Sequence, residues 1–137
     1  MNIALVGCGF VADYYLNTLG NHPDLNLVGI HDRDPQRAEA FARYWNIERR
    51  YDTLEQLLAD PTVDLVVNLT NPRAHFEISR AALSAGKHVY SEKPLVLSLE
   101  DGKAMQALAA EKGLKVGSAP DTFLGGAHQA ARATIDS

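Results

Sequence analysis

Cysteine, long apolar runs and excess positive charge are all scarce in this sequence. A single cysteine, Cys8, excludes an intrachain disulfide and fits a reducing compartment. No stretch approaches the roughly 18 apolar residues that a membrane-spanning helix needs. The apolar start Met1-Asn-Ile-Ala-Leu-Val6 has no basic segment before it, and glycines interrupt it at once, so it does not read as a secretory signal. Lysine and arginine total 13 against 17 aspartates and glutamates, for a net charge of −4. Bulk charge therefore argues against nucleic acid or an anionic membrane as partner, while leaving room for a local basic patch. No internal repeat or low-complexity tract is present. These absences lead us to expect a soluble cytoplasmic protein without nucleic-acid or membrane partners. What remains is 137 residues, 46% hydrophobic and 22% charged, enough for the core of one domain and at most a short piece of a second.

The apolar residues fall into short continuous runs that alternate with longer helical stripes. Ile3–Val6, Leu25–Ile30, Val63–Leu69, His88–Tyr90 and Leu114–Val116 read as strands buried on both faces. Between them, residues 11–19 carry Val11, Tyr15 and Leu19 on one stripe. Pro35 opens a helix with Ala38, Phe41, Ala42 and Trp45 at helical spacing. Thr53-Leu-Glu-Gln56 has the form of a capping box. Asn71-Pro72 reads as an N-cap and first turn of a helix running to Ser84 and stopping at Gly86. A last long helix runs from Ser98 to Gly113. Strands alternating with helices predict an α/β fold, a doubly wound parallel sheet of the Rossmann type, over residues 1–118. Residues 119–137 predict a helix capped at Asp121-Thr122 and carrying Leu124, Ala127, Ala130, Ala131 and Ile135. No further element is left for it to pack on. It reads as the end of a truncated chain or a fragment; the alternative is a terminal helix docked back on the sheet.

Gly7-Cys8-Gly9-Phe10-Val11-Ala12 follows the first strand and opens the first helix. This G-x-G-x-x-A spacing suits a pyrophosphate. Gly7 permits the tight turn, Gly9 presents no side chain to block the phosphates, and Ala12 lets helix and strand approach closely. Phe10 and Val11 contribute backbone N–H groups at the positive end of the helix dipole. Asp32 ends the second strand, about 20 residues on, where an acid binds the adenosine ribose hydroxyls. Its charge would repel a 2′-phosphate and favours NAD over NADP. Arg33 blurs that preference: it can stack on adenine, pair with a 2′-phosphate, or stand solvated. Cys8 is given no chemistry.

Ligands of open parallel sheets bind beyond the carboxyl ends of the strands. Thr70-Asn71-Pro72 and Glu92-Lys93-Pro94 both lie at such ends, and His75 follows one turn after Pro72. Pro94 restricts the backbone of Lys93 and so aims its side chain. Glu92 would keep the ammonium charged and desolvation would oppose it; a lysine so poised can donate a proton to a reacting oxygen. Whether the Lys93–Pro94 bond is cis or trans is not decided by the sequence. The remaining histidines, His22, His31, His88 and His128, show no metal-ligand spacing, and no metal site is expected.

Taken together, Gly7-x-Gly9-x-x-Ala12, Thr70-Asn71-Pro72 with His75, Ala85-Gly86-Lys87-His88-Val89 and Glu92-Lys93-Pro94 resemble the N-terminal domain of the glucose–fructose oxidoreductase/inositol dehydrogenase (Gfo/Idh/MocA) family. The resemblance covers essentially the whole chain. It implies an NAD(P)-dependent oxidoreductase acting on a sugar, cyclitol or related polyol. Lys93 would be the catalytic group that assists proton movement. Glu92 would contact the nicotinamide ribose, and Thr70, Asn71, Pro72 and His75 would line the nicotinamide half; for His75 a capping or core role remains the alternative. The family's further catalytic groups lie in a C-terminal domain, so this chain alone is expected to bind dinucleotide weakly and turn over little. His128 and Asp136 are not promoted to those roles. Asp121 is a helix cap or a substrate contact. A full-length parent would be a homo-oligomer. A non-catalytic NAD(H)-sensing module and an S-adenosylmethionine transferase are the rival readings.

Overall fold

Along β1 (Asn2–Val6) successive side chains point to opposite faces of the sheet, yet Ile3, Ala4, Leu5 and Val6 are all buried. Such a strand needs cover on both faces. The computed structural model, which describes residues 1–120 and 122–137, supplies it with helices on each side. Ala4 and Val6 join Leu57, Val66, Leu83, Val89 and Met105 in one core. Ile3 and Leu5 join Ala12, Ile30, Phe41, Val67 and Leu69 in the other.

The elements run β1, α1 (Phe10–Leu19), β2 (Asn26–His31), α2 (Pro35–Trp45), α3 (Leu54–Ala59), β3 (Leu65–Asn68), α4 (His75–Ser84), β4 (His88–Ser91), α5 (Leu99–Lys112), β5 (Val116–Ser118), a 3-10 turn at Thr122–Leu124, and α6 (Gly126–Asp136). All five strands are parallel, in the order β2-β1-β3-β4-β5. The chain starts in the middle, winds outward one way through β2, then returns and winds the other way, as in a Rossmann fold. Register then fixes the site. Val6 lies opposite His31 and Asn68, Asn68 opposite Ser91, and Ser91 opposite Ser118. Every strand therefore ends at one level, and the turns that follow share one rim.

Local chemistry explains most helix starts. Asp34 Oδ1 accepts from the N–H groups of Gln36 and Arg37, with Pro35 at the first helical position. Thr53 and Ser98 cap α3 and α5 in the same way. Gly113, at φ +66, closes α5.

Two expectations need correction. Asn71 and Pro72 do not start α4. Asn71 Oδ1 accepts from Arg73 N at 3.2 Å and Asn71 O from Ala74 N at 2.9 Å, so residues 71–74 form a separate turn and the helix begins at His75. The Asn side chain caps that local turn in preference to the helix. At the other end, Leu124 is taken up by the 3-10 turn, and α6 starts behind Gly125 with no buried residue. It is not docked on the sheet. Asp121, read as a cap or a substrate contact, lies outside the described residues.

Candidate functional site

The first turn of the site is dictated by two glycines with different duties. Gly7 has φ +98, and its N–H donates to His31 O at 2.8 Å. A Cβ there would lie 2.9 Å from both Leu69 C and Leu69 O, so the turn can press against the end of β3 only without a side chain. Gly9 has an ordinary φ of −93 and precedes α1. A Cβ there would meet nothing within 4 Å. Its missing side chain relieves no clash within the protein; it keeps space open. Ala12, fully buried, packs α1 onto the sheet.

That space belongs to a cleft of about 470 Å³, within the range of small-molecule sites. Gly7, Gly9, Phe10 and Val11 wall it on the first turn, Asp32, Arg33 and Arg37 after β2, and Leu69, Thr70, Asn71 and Ala74 after β3. Phe10 is 74% exposed and stacks edge-on against Tyr14. A second cavity of about 350 Å³ lies between α1 and the sheet, lined by apolar residues such as Leu16, Leu65 and Val67. It has no strand-end polar groups and is a packing gap on the sheet face, so the rim cleft is the chemical site.

Asp32 is 6% exposed and already engaged. Its Oδ2 accepts from Cys8 N at 2.8 Å and lies 3.6 Å from Arg37 Nη1; its Oδ1 accepts from Asp34 N at 2.9 Å. The carboxylate thus ties the glycine turn to the end of β2. Two oxygens with about four acceptor positions still leave capacity for a hydroxyl. Arg37 also lies 3.7 Å from Asp34 Oδ2 and was not singled out from sequence; its three-residue spacing from Asp34 was the available signal. Cys8 is buried, and its thiol is pushed up to about 12 by burial first and the Asp32 charge second. It is chemically inert and does not line the cleft.

After β3, Thr70 Oγ1 donates to Asn68 Oδ1 at 2.7 Å, and Thr70 and Asn71 face the cleft. Pro72, on the following turn, and His75 are not among its lining residues. His75 is fully buried, with Nδ1 2.6 Å from Pro94 O and Nε2 3.0 Å from Thr70 O. It takes the core alternative: a ring without exposed surface braces the rim and does not line it.

Glu92 and Lys93 follow β4 on the same rim as the glycine turn, with β3 between, and do not line the cleft. The Lys93–Pro94 bond is cis. Glu92 does not pair with the Lys93 ammonium. Its Oε1 accepts from Tyr15 OH at 3.0 Å and its Oε2 from Lys93 N at 3.1 Å. Lys93 is exposed and makes no ion pair among the described residues.

A parallel sheet in this order, with a bare glycine turn at a helix N-terminus opening on a strand-end cleft, defines a dinucleotide-binding Rossmann domain. The empty space over Gly9 and the unblocked start of α1 fit such a cofactor. Residues 1–119 match the Gfo/Idh/MocA oxidoreductase family, described as an oxidoreductase family with an NAD-binding Rossmann fold, and the chain belongs to that family. It is 34% identical over 112 residues to the scyllo-inositol 2-dehydrogenase (NAD(+)) of Bacillus subtilis (strain 168), covering 81% of this chain and 33% of that protein. Among solved structures, GenD2 from gentamicin A biosynthesis, in complex with NAD, superposes with a TM-score of 0.83 at 32% identity, over 90% of this chain and 35% of that one. The biliverdin reductase of Synechocystis sp. PCC 6803, in complex with biliverdin and NADP+, gives 0.87 at 33% identity, over 98% and 42%. The chain spans about a third of the length of the curated relatives it matches. It is the NAD-binding part of an oxidoreductase family whose structural relatives hold NAD or NADP.

Proposed function

We propose that this chain serves an oxidoreductase acting on the CH–OH groups of a sugar, cyclitol or related polyol. In this reading residues 1–118 hold the dinucleotide and residues 119–137 begin the connection to a substrate domain. The bound nicotinamide supplies a carrier that accepts or gives hydride. The chain's own residues do the rest. Backbone N–H groups at the start of α1 receive the pyrophosphate over Gly9. Asp32 accepts from the adenosine ribose, and its charge favours NAD; Arg33 and Arg37 stand where a 2′-phosphate would be drawn if NADP is used instead. Thr70 and Asn71 line the nicotinamide half. Lys93 holds a proton and exchanges it with the substrate oxygen.

One observation carries this reading. An exposed lysine, not neutralised by the glutamate beside it, stands past the end of β4 on the rim that Gly9 leaves open. The likeness to an inositol dehydrogenase supports the cyclitol class.

Calorimetry of the 137-residue chain with NAD, NADP and S-adenosylmethionine tests the first half: the dinucleotides bind and S-adenosylmethionine does not. The second half is tested in a protein that joins this domain to its substrate domain. There Lys93→Ala lowers kcat by about 10²–10⁴ and leaves affinity for ADP-ribose, which lacks the nicotinamide, within about twofold. Full turnover by that variant would leave an NAD(H)-sensing module as the reading.

A further inference from the structure

We propose that Lys93 is aimed from both sides by two positioning residues, Tyr15 acting through Glu92 and His75 acting through Pro94. This rests on the reading of Lys93 as the proton-handling group. Tyr15 belongs to α1, the helix that starts at the glycine turn, and its hydroxyl donates to Glu92 Oε1 at 3.0 Å. The other carboxylate oxygen takes the Lys93 backbone N–H at 3.1 Å. Helix α1 thereby holds the residue before Lys93 and orients Lys93's own amide.

His75 belongs to α4 and holds the residue after it. Its Nδ1 lies 2.6 Å from Pro94 O, and its Nε2 3.0 Å from Thr70 O. Carbonyl oxygens only accept, so the ring must donate, and the shorter contact assigns the N–H to Nδ1 and Pro94 O. The ring's base is fixed in turn: Asn68 Nδ2 donates to His75 O at 3.1 Å and to Ser79 Oγ at 3.0 Å.

Neither contact touches the lysine side chain. Together they pin the backbone on both sides of it, so the cost of ordering that backbone is met in folding and not at each encounter with a ligand. The same arrangement occupies Glu92 elsewhere and leaves the ammonium unneutralised.

Tyr15→Phe removes one hydroxyl and keeps the ring; His75→Leu removes both ring nitrogens. His75→Asn retains an amide donor near the position of Nδ1. On the 137-residue chain, the Lys93 backbone amide is followed by NMR shift and hydrogen exchange, and affinities are measured for NADH and for ADP-ribose, which lacks the nicotinamide. Tyr15→Phe and His75→Leu should move the Lys93 amide, speed its exchange and weaken NADH about tenfold, with ADP-ribose within about twofold. His75→Asn should restore much of the loss. A merely structural role would weaken both ligands together, and that result, or an unmoved Lys93 amide in Tyr15→Phe, overturns the proposal. If His75→Leu does not fold, Tyr15→Phe still decides. If the wild-type chain binds NADH no better than ADP-ribose, the nicotinamide reading fails, while the Lys93 amide in Tyr15→Phe decides the brace independently.

Discussion

Two alanine substitutions in one turn should have opposite consequences. Gly7→Ala places a Cβ 2.9 Å from Leu69 C and O and 3.0 Å from Thr70 N, at φ +98. Those neighbours are backbone in a buried strand end, so they cannot yield as a side chain would. Left-handed strain costs about 1–2 kcal/mol and overpacking about 1–3 more, together about 2–5 kcal/mol of stability. Gly9→Ala places its Cβ where nothing lies within 4 Å, at an ordinary φ. Alanine is a poorer N-cap than glycine by about 0.5–1 kcal/mol, and the loss of unfolded-state freedom returns about 0.4–1. Stability should therefore stay within about 1 kcal/mol of wild type. The added methyl instead occupies the path of the pyrophosphate, and dinucleotide affinity should fall about tenfold or more. Urea unfolding reads the first effect: with a slope of about 1–3 kcal/mol per molar, the Gly7→Ala midpoint should drop by at least about 0.7 M. Calorimetric titration reads the second. An unchanged midpoint in Gly7→Ala, or undiminished dinucleotide binding by Gly9→Ala, would refute the division of labour between the two glycines.

Two further outcomes follow from the titratable groups. Asp60 is lowered from its ordinary 3.8 to about 2, chiefly by hydrogen bonds from Thr62 and Tyr51. A depressed carboxylate contributes its stability above the ordinary value, so that contribution should disappear as pH falls from about 4 through about 2, and Asp60→Asn should flatten the acid limb of a denaturation profile taken over that range. Cys8, raised to about 12, should resist alkylation at pH 8 in the folded protein and react promptly in denaturant; rapid labelling of the native chain would contradict its burial.

Much of the architecture was legible because it is written in local patterns. Ile3–Val6 is apolar at every position, which only a strand covered on both faces requires. Pro35, Thr53 and Ser98 announce helix starts through first-turn and capping signals that act over three or four residues. The errors fell where two local solutions compete. Asn71 caps a turn or a helix with the same side-chain oxygen, and here its partner is Arg73 N within the turn. The site divided along the same line. Gly7, Gly9 and Asp32 were legible as one cluster because their spacing reflects contacts within one β-α-β unit. Tyr15 read only as a member of an apolar stripe, since its partner Glu92 is remote in sequence. Lys93 and Glu92 read as a pair because they are neighbours, yet the carboxylate bonds to α1.

The sequence by itself determined the alternation of strands and helices, the bare phosphate turn and the segments that would stand at strand ends, because periodicity, capping and glycine placement act over a few residues. Tertiary structure alone decided which partners those segments found. Parallel register brought the ends of β1, β2, β3 and β4 to one level, and only there could a tyrosine of α1 reach Glu92 and a buried histidine of α4 reach Pro94. Hydrogen bonds reach about 3 Å, and what lies within that distance across a sheet is set by packing, not by order along the chain.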